Sequence, residues 1–247
     1  MTTYRDEGIV LRTMRLGEAD RIVTILTAEH GKVRAVAKGV RRTKSRVGGR
    51  VEPLSHVALL CWRGRELDVV SQVESIDTFR QIRSDLSRLA PATTILEIAD
   101  QVAEQHAPAG ELYAMVLGAL RALESEASPL LLGAFCFKLL AIDGVSPIVD
   151  ACARCASPGP LVAFDLGEGG LLCERCRRGQ AVSEEFVTLA RAVLGGSLAW
   201  ALRQPTTPAT SEVERIGLAA VERHLDRRLR SSRHLIEGEE RVLSQFR

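Results

Sequence analysis

From residue 4 to residue 74 apolar and polar positions alternate in short runs rich in Val, Ile, Thr and Leu, the period-two pattern of half-buried strands. It predicts five strands, at 9–13, 22–27, 33–37, 56–62 and 67–73, separated by turn residues at Leu16-Gly17-Glu18, His30-Gly31 and Arg63-Gly64-Arg65. Five strands in so short a stretch suit a small closed barrel. An OB-fold is the commonest such barrel among oligonucleotide binders, and an SH3-like barrel is the alternative.

After Phe79 the period lengthens to that of a helix. Ile95, Ile98, Ala99, Val102 and His106 form one apolar stripe, and Leu112, Met115, Val116, Ala119, Leu120 and Leu123 another. Ser128-Pro129 predicts the N-cap and first position of a third helix, ended by Asp143-Gly144. Helices resume at a Ser183 N-cap and stop at Gly195-Gly196. The last one is predicted to open on the capping-box pattern Ser211-x-x-Glu214 and to run towards Ser231. The expected fold is therefore α+β and multidomain. A barrel at 1–78 precedes a helical bundle at 79–247, which contains an inserted cysteine module at about 148–180.

That module carries the most specific chemistry. Cys152, Cys155, Cys173 and Cys176 are spaced C-x2-C-x17-C-x2-C, the arrangement by which two knuckles present four thiolates to one tetrahedral zinc. Disulfides or unmetallated thiols are the competing readings. A redox dithiol does not come as two pairs bracketing a Gly-rich loop. With four thiolates filling the coordination sphere, the zinc would be structural rather than catalytic. Cys61 and Cys136 sit singly in apolar runs and read as buried hydrophobes.

Charge changes the picture of the barrel. The chain of 247 residues holds 33 basic and 31 acidic residues, yet residues 31–51 contain Lys32, Arg34, Lys38, Arg41, Arg42, Lys44, Arg46 and Arg50 without one carboxylate. A charge run is usually only a solvated face. This one falls on the third strand and the connection after it, with Gly39, Gly48 and Gly49 leaving the backbone free to follow a phosphate chain. Arg223, Arg227 and Arg230 repeat at helical spacing near the chain's end. There the solvated face is the better reading, with a secondary nucleic-acid contact as the other. Arg154, Arg175, Arg177 and Arg178 crowd the cysteine module as a third potential phosphate contact.

No P-loop, G-x-S-x-G, H-E-x-x-H or dinucleotide turn occurs; Glu18, Asp20 and Glu29 are candidates for a metal-carboxylate cluster, but nothing locates a substrate pocket, so an enzyme is not expected. No apolar leader follows Met1, and the longest apolar run, 130–140, is interrupted by Lys138. A cytoplasmic, nucleoid-associated protein without membrane contact is expected.

Gly17-Glu18-Ala19-Asp20, Leu26-Thr27 with Gly31, Ala37-Lys38-Gly39-Val40-Arg41-Arg42 and Lys44-Ser45 together resemble the N-terminal signature of the bacterial DNA repair and recombination family RecO. Gly144 and Pro147 ahead of the first knuckle, the second knuckle, and His224-Leu225 with Leu229-Arg230-Ser231 fit the same family, over residues 3–235. The resemblance implies an N-terminal OB-fold, a helical domain and a zinc module. It also implies a non-enzymatic mediator in DNA repair that binds single- and double-stranded DNA and anneals complementary strands. With RecR, such a mediator helps load RecA onto strands coated by single-strand-binding protein (SSB). Lys38, Arg41, Arg42 and Lys44 match the basic part of the motif, while residues 236–247 match nothing in it. A reading of a different class is a zinc-ribbon adaptor that contacts proteins of the transcription or translation machinery.

Overall fold

The computed structural model describes residues 2–41 and 47–231, and the chain divides into two units, one ending at Ser125 and the other beginning at Glu126. Arg42, Lys44 and Arg46, and the segment 236–247, lie outside the described residues.

In the first unit the five strands form and close on themselves. They are β1 (Thr3–Leu16), β2 (Asp20–Thr27), β3 (Gly31–Ala37), β4 (His56–Trp62) and β5 (Asp68–Asp77), hydrogen-bonded in the order β1-β2-β3-β5-β4. Closure is made by the parallel pair β3–β5, with Ala35 opposite Asp68 and Val36 opposite Val69, and the other pairs are antiparallel. This is an OB-like barrel, which excludes the SH3-like alternative. β1 extends beyond the predicted 9–13 at both ends because it serves two partners. Its first half pairs with β4 and its second with β2, and an irregularity between Val10 and Arg12 bends it from one to the other. Val10, Val23, Ile25, Val33, Val57 and Leu59 fill the interior, joined by Val51 from a 3-10 turn at Gly48–Val51.

The barrel ends near residue 78, but the unit continues through α1 (Arg80–Ser84), α2 (Leu86–Val102) and α3 (Gly110–Ser125). The side chain of Asp85 accepts from Ser87 N and caps α2. Near the other end of α2, Asp100 receives both Arg12 (Nε to Oδ2, 2.5 Å) and Lys32 (Nζ to Oδ1, 3.6 Å; to the carbonyl, 2.5 Å). Two cations on the barrel wall thus hold the helix against β1 and β3. The predicted stripe does not reach His106. The chain leaves the helix at Ala103 and runs beside β3, where Lys32 N donates to Glu104 O (3.4 Å) and His106 N to Lys32 O (3.0 Å). Covering the strand edge wins over propagating the helix. Gly31 permits the approach, since a Cβ there would lie 1.7 Å from the Ala107 carbonyl oxygen.

The second unit contains α4 (Leu131–Ile142), β6 (Leu161–Asp165), β7 (Gly170–Cys173), β8 (Gln180–Ala181), α5 (Glu184–Leu194), α6 (Leu198–Ala201) and α7 (Pro208–His224). The three strands form a sheet ordered β7-β6-β8. Ser183 caps α5 as expected, accepting from Phe186 N at 3.1 Å. Two predicted caps move. Ser128-Pro129 forms a turn ahead of α4, whose N-cap is Leu130 with no side-chain bond. The last helix opens at Thr207, not Ser211: Thr207 and Thr210 bond reciprocally and Pro208 takes the first position, so the helix starts a turn earlier. It also stops at His224, well before Ser231.

Candidate metal centre and nucleic-acid interface

The four cysteines converge because a hairpin and two tight turns bring them together. β6 and β7 pair antiparallel and place Cys173 at the hairpin's end, from which a 3-10 turn, Glu174–Cys176, delivers Cys176. The other knuckle is tied to that hairpin, since Ala153 N donates to Leu171 O at 2.8 Å. It closes on itself through Ala156 N to Cys152 O, also 2.8 Å, with Ala156 at φ +57. One sulfur from each residue lies within 4.8 Å of all the others, and Cys155 and Cys173 are 3.7 Å apart. A tetrahedral site with Zn–S near 2.3 Å has edges of about 3.8 Å. A disulfide requires about 2.05 Å, and all four thiols are free. The set can hold a metal ion.

Backbone hydrogen bonds favour the thiolate at two of the four cysteines. Backbone hydrogen bonding, from Cys173 first and then from Arg154 and Cys155, holds the Cys152 thiol down to about 6, and that from Cys176 lowers Cys173. Cys176, sharing its proton with Cys155 first among its neighbours, is pushed up to about 12. Four sulfurs this close cannot all carry charge unless a cation joins them. By contrast, burial pushes Cys61 up to about 11 and raises Cys136, both buried and outside the cluster. Cys152 and Cys173 belong to the unit's hydrophobic core, which is centred on Phe137, Phe164 and Phe186 with ring centroids 6.2–6.4 Å apart. Arg191 of α5 donates to the carbonyls of Val149 (3.0 Å) and Asp150 (3.2 Å), fixing the approach to the first knuckle.

The described part of the basic run divides in two. On β3, Lys32 is engaged with Asp100, and Arg34 is half-buried with no hydrogen-bond partner for its Nε among the described residues. Beyond β3, Lys38, Arg41 and Arg50 are exposed in the connection to β4. Asp20 shapes that connection by accepting from Gly39 N at 2.7 Å, while Arg41 N donates to Ala19 O (3.0 Å) and Arg41 Nη1 to Gly17 O (3.2 Å). Arg50 spends one donor on Val73 O (3.0 Å). The Gly17-Glu18-Ala19-Asp20 motif is thus a clamp on the basic connection. Asp20 is committed to this turn. The Glu29 backbone N–H bonds Asp6, and among the described residues the four cysteines are the group able to hold a metal.

The second basic group is not a helical stripe. α7 ends at His224, and Arg227 and Arg230 follow it in an irregular segment where Asp226 has φ +48. Around the cysteines, Arg154, Arg175 and Arg177 are exposed, while Arg178 pairs with Asp165 (3.3 Å) and Glu168. Sequence reasoning missed Asp68, a buried carboxylate beneath the Arg63-Gly64-Arg65 turn. It accepts from Tyr4 Oη (2.5 Å) and Gly64 N (2.8 Å). The available signal was an Asp four residues after a turn glycine, inside a strand pattern.

Two family models match the chain: Recombination protein O N terminal over residues 1–79 and Recombination protein O C terminal over residues 83–233. The junction between them falls just after the last barrel strand.

Proposed function

The chain belongs to the RecO family, and from that premise we propose that it is a non-enzymatic mediator that binds single- and double-stranded DNA and anneals complementary strands. A role in DNA recombination and repair follows from the family. The finer reading is supported chiefly by exposed Lys38, Arg41 and Arg50, in a stretch from residue 38 to 51 that holds no carboxylate and is clamped to an OB-like barrel by Asp20. Arg42, Lys44 and Arg46 belong to the same connection and join the proposed phosphate contacts, with Arg34 on the wall beside it. Lys32 instead braces α2. Cations on one protein neutralise two strands at once and lower the repulsion that opposes their pairing, so annealing needs no catalytic residue.

The ion at Cys152, Cys155, Cys173 and Cys176 is zinc in this reading, because four thiolates at tetrahedral spacing suit it and leave no open position for an activated water. Its work is to hold the second unit's sheet against α4 and α5. The proposed protein partners are RecR and SSB, and through them RecA. The deciding experiment is annealing of complementary strands precoated with SSB, with and without this protein and without ATP. No acceleration at stoichiometric protein would refute the mediator reading.

The zinc-ribbon adaptor keeps one observation in its favour. Val145 and Leu166 are exposed large apolar residues that line a cavity of about 230 Å³ in the second unit, a surface suited to protein contact. An adaptor need not bind DNA, so an unaltered salt-sensitive affinity for DNA separates the two.

A further inference from the structure

The barrel carries a large exposed aromatic side chain that the phosphate contacts do not use. Trp62 is 41% exposed at the end of β4. Its neighbours Cys61 and Val70 point into the barrel, so Trp62 and its cross-strand partner Val69 face outward. Val69 pairs in turn with Val36 of β3, whose own neighbours Ala35 and Ala37 are interior. Val36, Val69 and Trp62 therefore form one row across the outer wall, about 10 Å long at two strand spacings. Lys38, the exposed first residue of the basic connection, follows two residues after Val36.

The loop after Trp62 is built to stay in place. Gly64 N is held by the buried carboxylate of Asp68, which also receives the Tyr4 hydroxyl, and a Cβ on Gly64 would lie 1.9 Å from the Leu67 carbonyl oxygen. Arg63 sits with its guanidinium 5.2 Å from the Tyr4 ring centroid, its backbone N–H bonded to Thr2 O (2.9 Å). Arg63 and Arg65 are both exposed. A buried polar group costs stability unless it is hydrogen-bonded, and the Asp68 carboxylate is spent on fixing the loop that carries Arg63 and Arg65 directly after Trp62.

We propose that Trp62 is a stacking platform for one unpaired base, with Arg63 and Arg65 taking the flanking phosphates, on a track that crosses the barrel wall from Lys38. In a duplex the base faces are already stacked, so the indole adds nothing there. Trp62 therefore makes the barrel distinguish single strands from duplex, which phosphate neutralisation alone does not. This inference rests on the DNA-binding reading above and deepens it to strand type.

The chain's two tryptophans, Trp62 and Trp200, lie in different units, which gives a direct test. In Trp200→Phe protein, intrinsic emission reports Trp62 alone. Titration with oligo(dT) should quench that emission, and a blunt duplex of equal length should not. In the full chain, Trp62→Ala should weaken oligo(dT) binding, measured by anisotropy of labelled DNA, by about tenfold. It should leave duplex affinity unchanged, and Trp62→Phe should restore part of the loss. Unchanged Trp62 emission at saturating oligo(dT) would overturn the proposal while leaving DNA binding intact. Equal loss of single-strand and duplex affinity in Trp62→Ala, with Trp62→Phe no better, would also overturn it. Absence of binding to either DNA by the parent protein would overturn the DNA-binding reading itself.

Discussion

Lys38, Arg41 and Arg50 are the described cations whose removal should register as lost phosphate contacts. All three are exposed, and the two arginines each spend one of five N–H donors on a protein carbonyl. Each phosphate neutralised contributes about 0.7 to 0.9 to the slope of log K against log salt, so the triple alanine variant should flatten the slope by about 2 to 2.7. Between 50 and 200 mM salt that amounts to about 20- to 40-fold less loss of affinity than the parent shows. Lys32→Ala is the internal control. Its ammonium is bound to Asp100, so removing it should lower thermal stability while leaving the salt slope near the parental value. The assay is anisotropy of labelled single- and double-stranded oligonucleotides over a salt series, with each variant shown to be folded by thermal melting. A folded triple variant with the parental slope would refute the reasoning, as would a Lys32→Ala slope change as large as one full contact.

Cys152→Ser or Cys176→Ser should abolish bound zinc, measured by elemental analysis, and destabilise the second unit by about 4 kcal/mol or more, whereas Cys61→Ala should keep the full metal content. Ala156→Gly should stabilise by about 0.5–1 kcal/mol in a urea melt, because it relieves a left-handed residue at φ +57 in the first knuckle. Burial lowers the pKa of His56, which is hydrogen-bonded to Tyr113 Oη at 2.9 Å, with Glu7, Asp77 and Arg121 facing it. Below pH 6.5 the unfolded chain then takes up a proton that the folded one refuses. The stability advantage of the parent over His56→Gln should accordingly be full at pH 7 and shrink as pH falls below 6.5, and an advantage that grows towards pH 5 would contradict the sign.

The barrel was legible because half-buried strands print a period-two pattern: every predicted strand exists, and 56–62 coincides with β4. The errors fall where a tertiary contact overrides local preference. His106 continues an apolar stripe but is drawn off the helix to cover the edge of β3. Ser211-x-x-Glu214 is a sound local cap, yet Thr207, Thr210 and Pro208 make a better one a turn earlier. α1 and α6, at five and four residues, are too short to show a helical period at all.

The two halves of the site differ in legibility for a related reason. Metal ligation depends on four atoms reaching one point, and a fixed spacing with short turns nearly guarantees that, so the cysteines could be read off the chain. A cation's availability depends on what else lies nearby. Lys32 and Lys38 are indistinguishable in the sequence, six residues apart in one basic run, but Asp100 lies 68 residues from the first and captures it. Asp20 was open to a reading as a metal carboxylate until its partner, the Gly39 amide, came into view 19 residues away. The same holds for Trp62, Val69 and Val36, which become one surface only through the register of three strands, two of them parallel and joined across the barrel's closing seam. Chemistry carried by a local spacing is written in the sequence. A charge or an aromatic ring acquires its role from a long-range pairing that removes some candidates and aligns others, and such pairings leave no local trace.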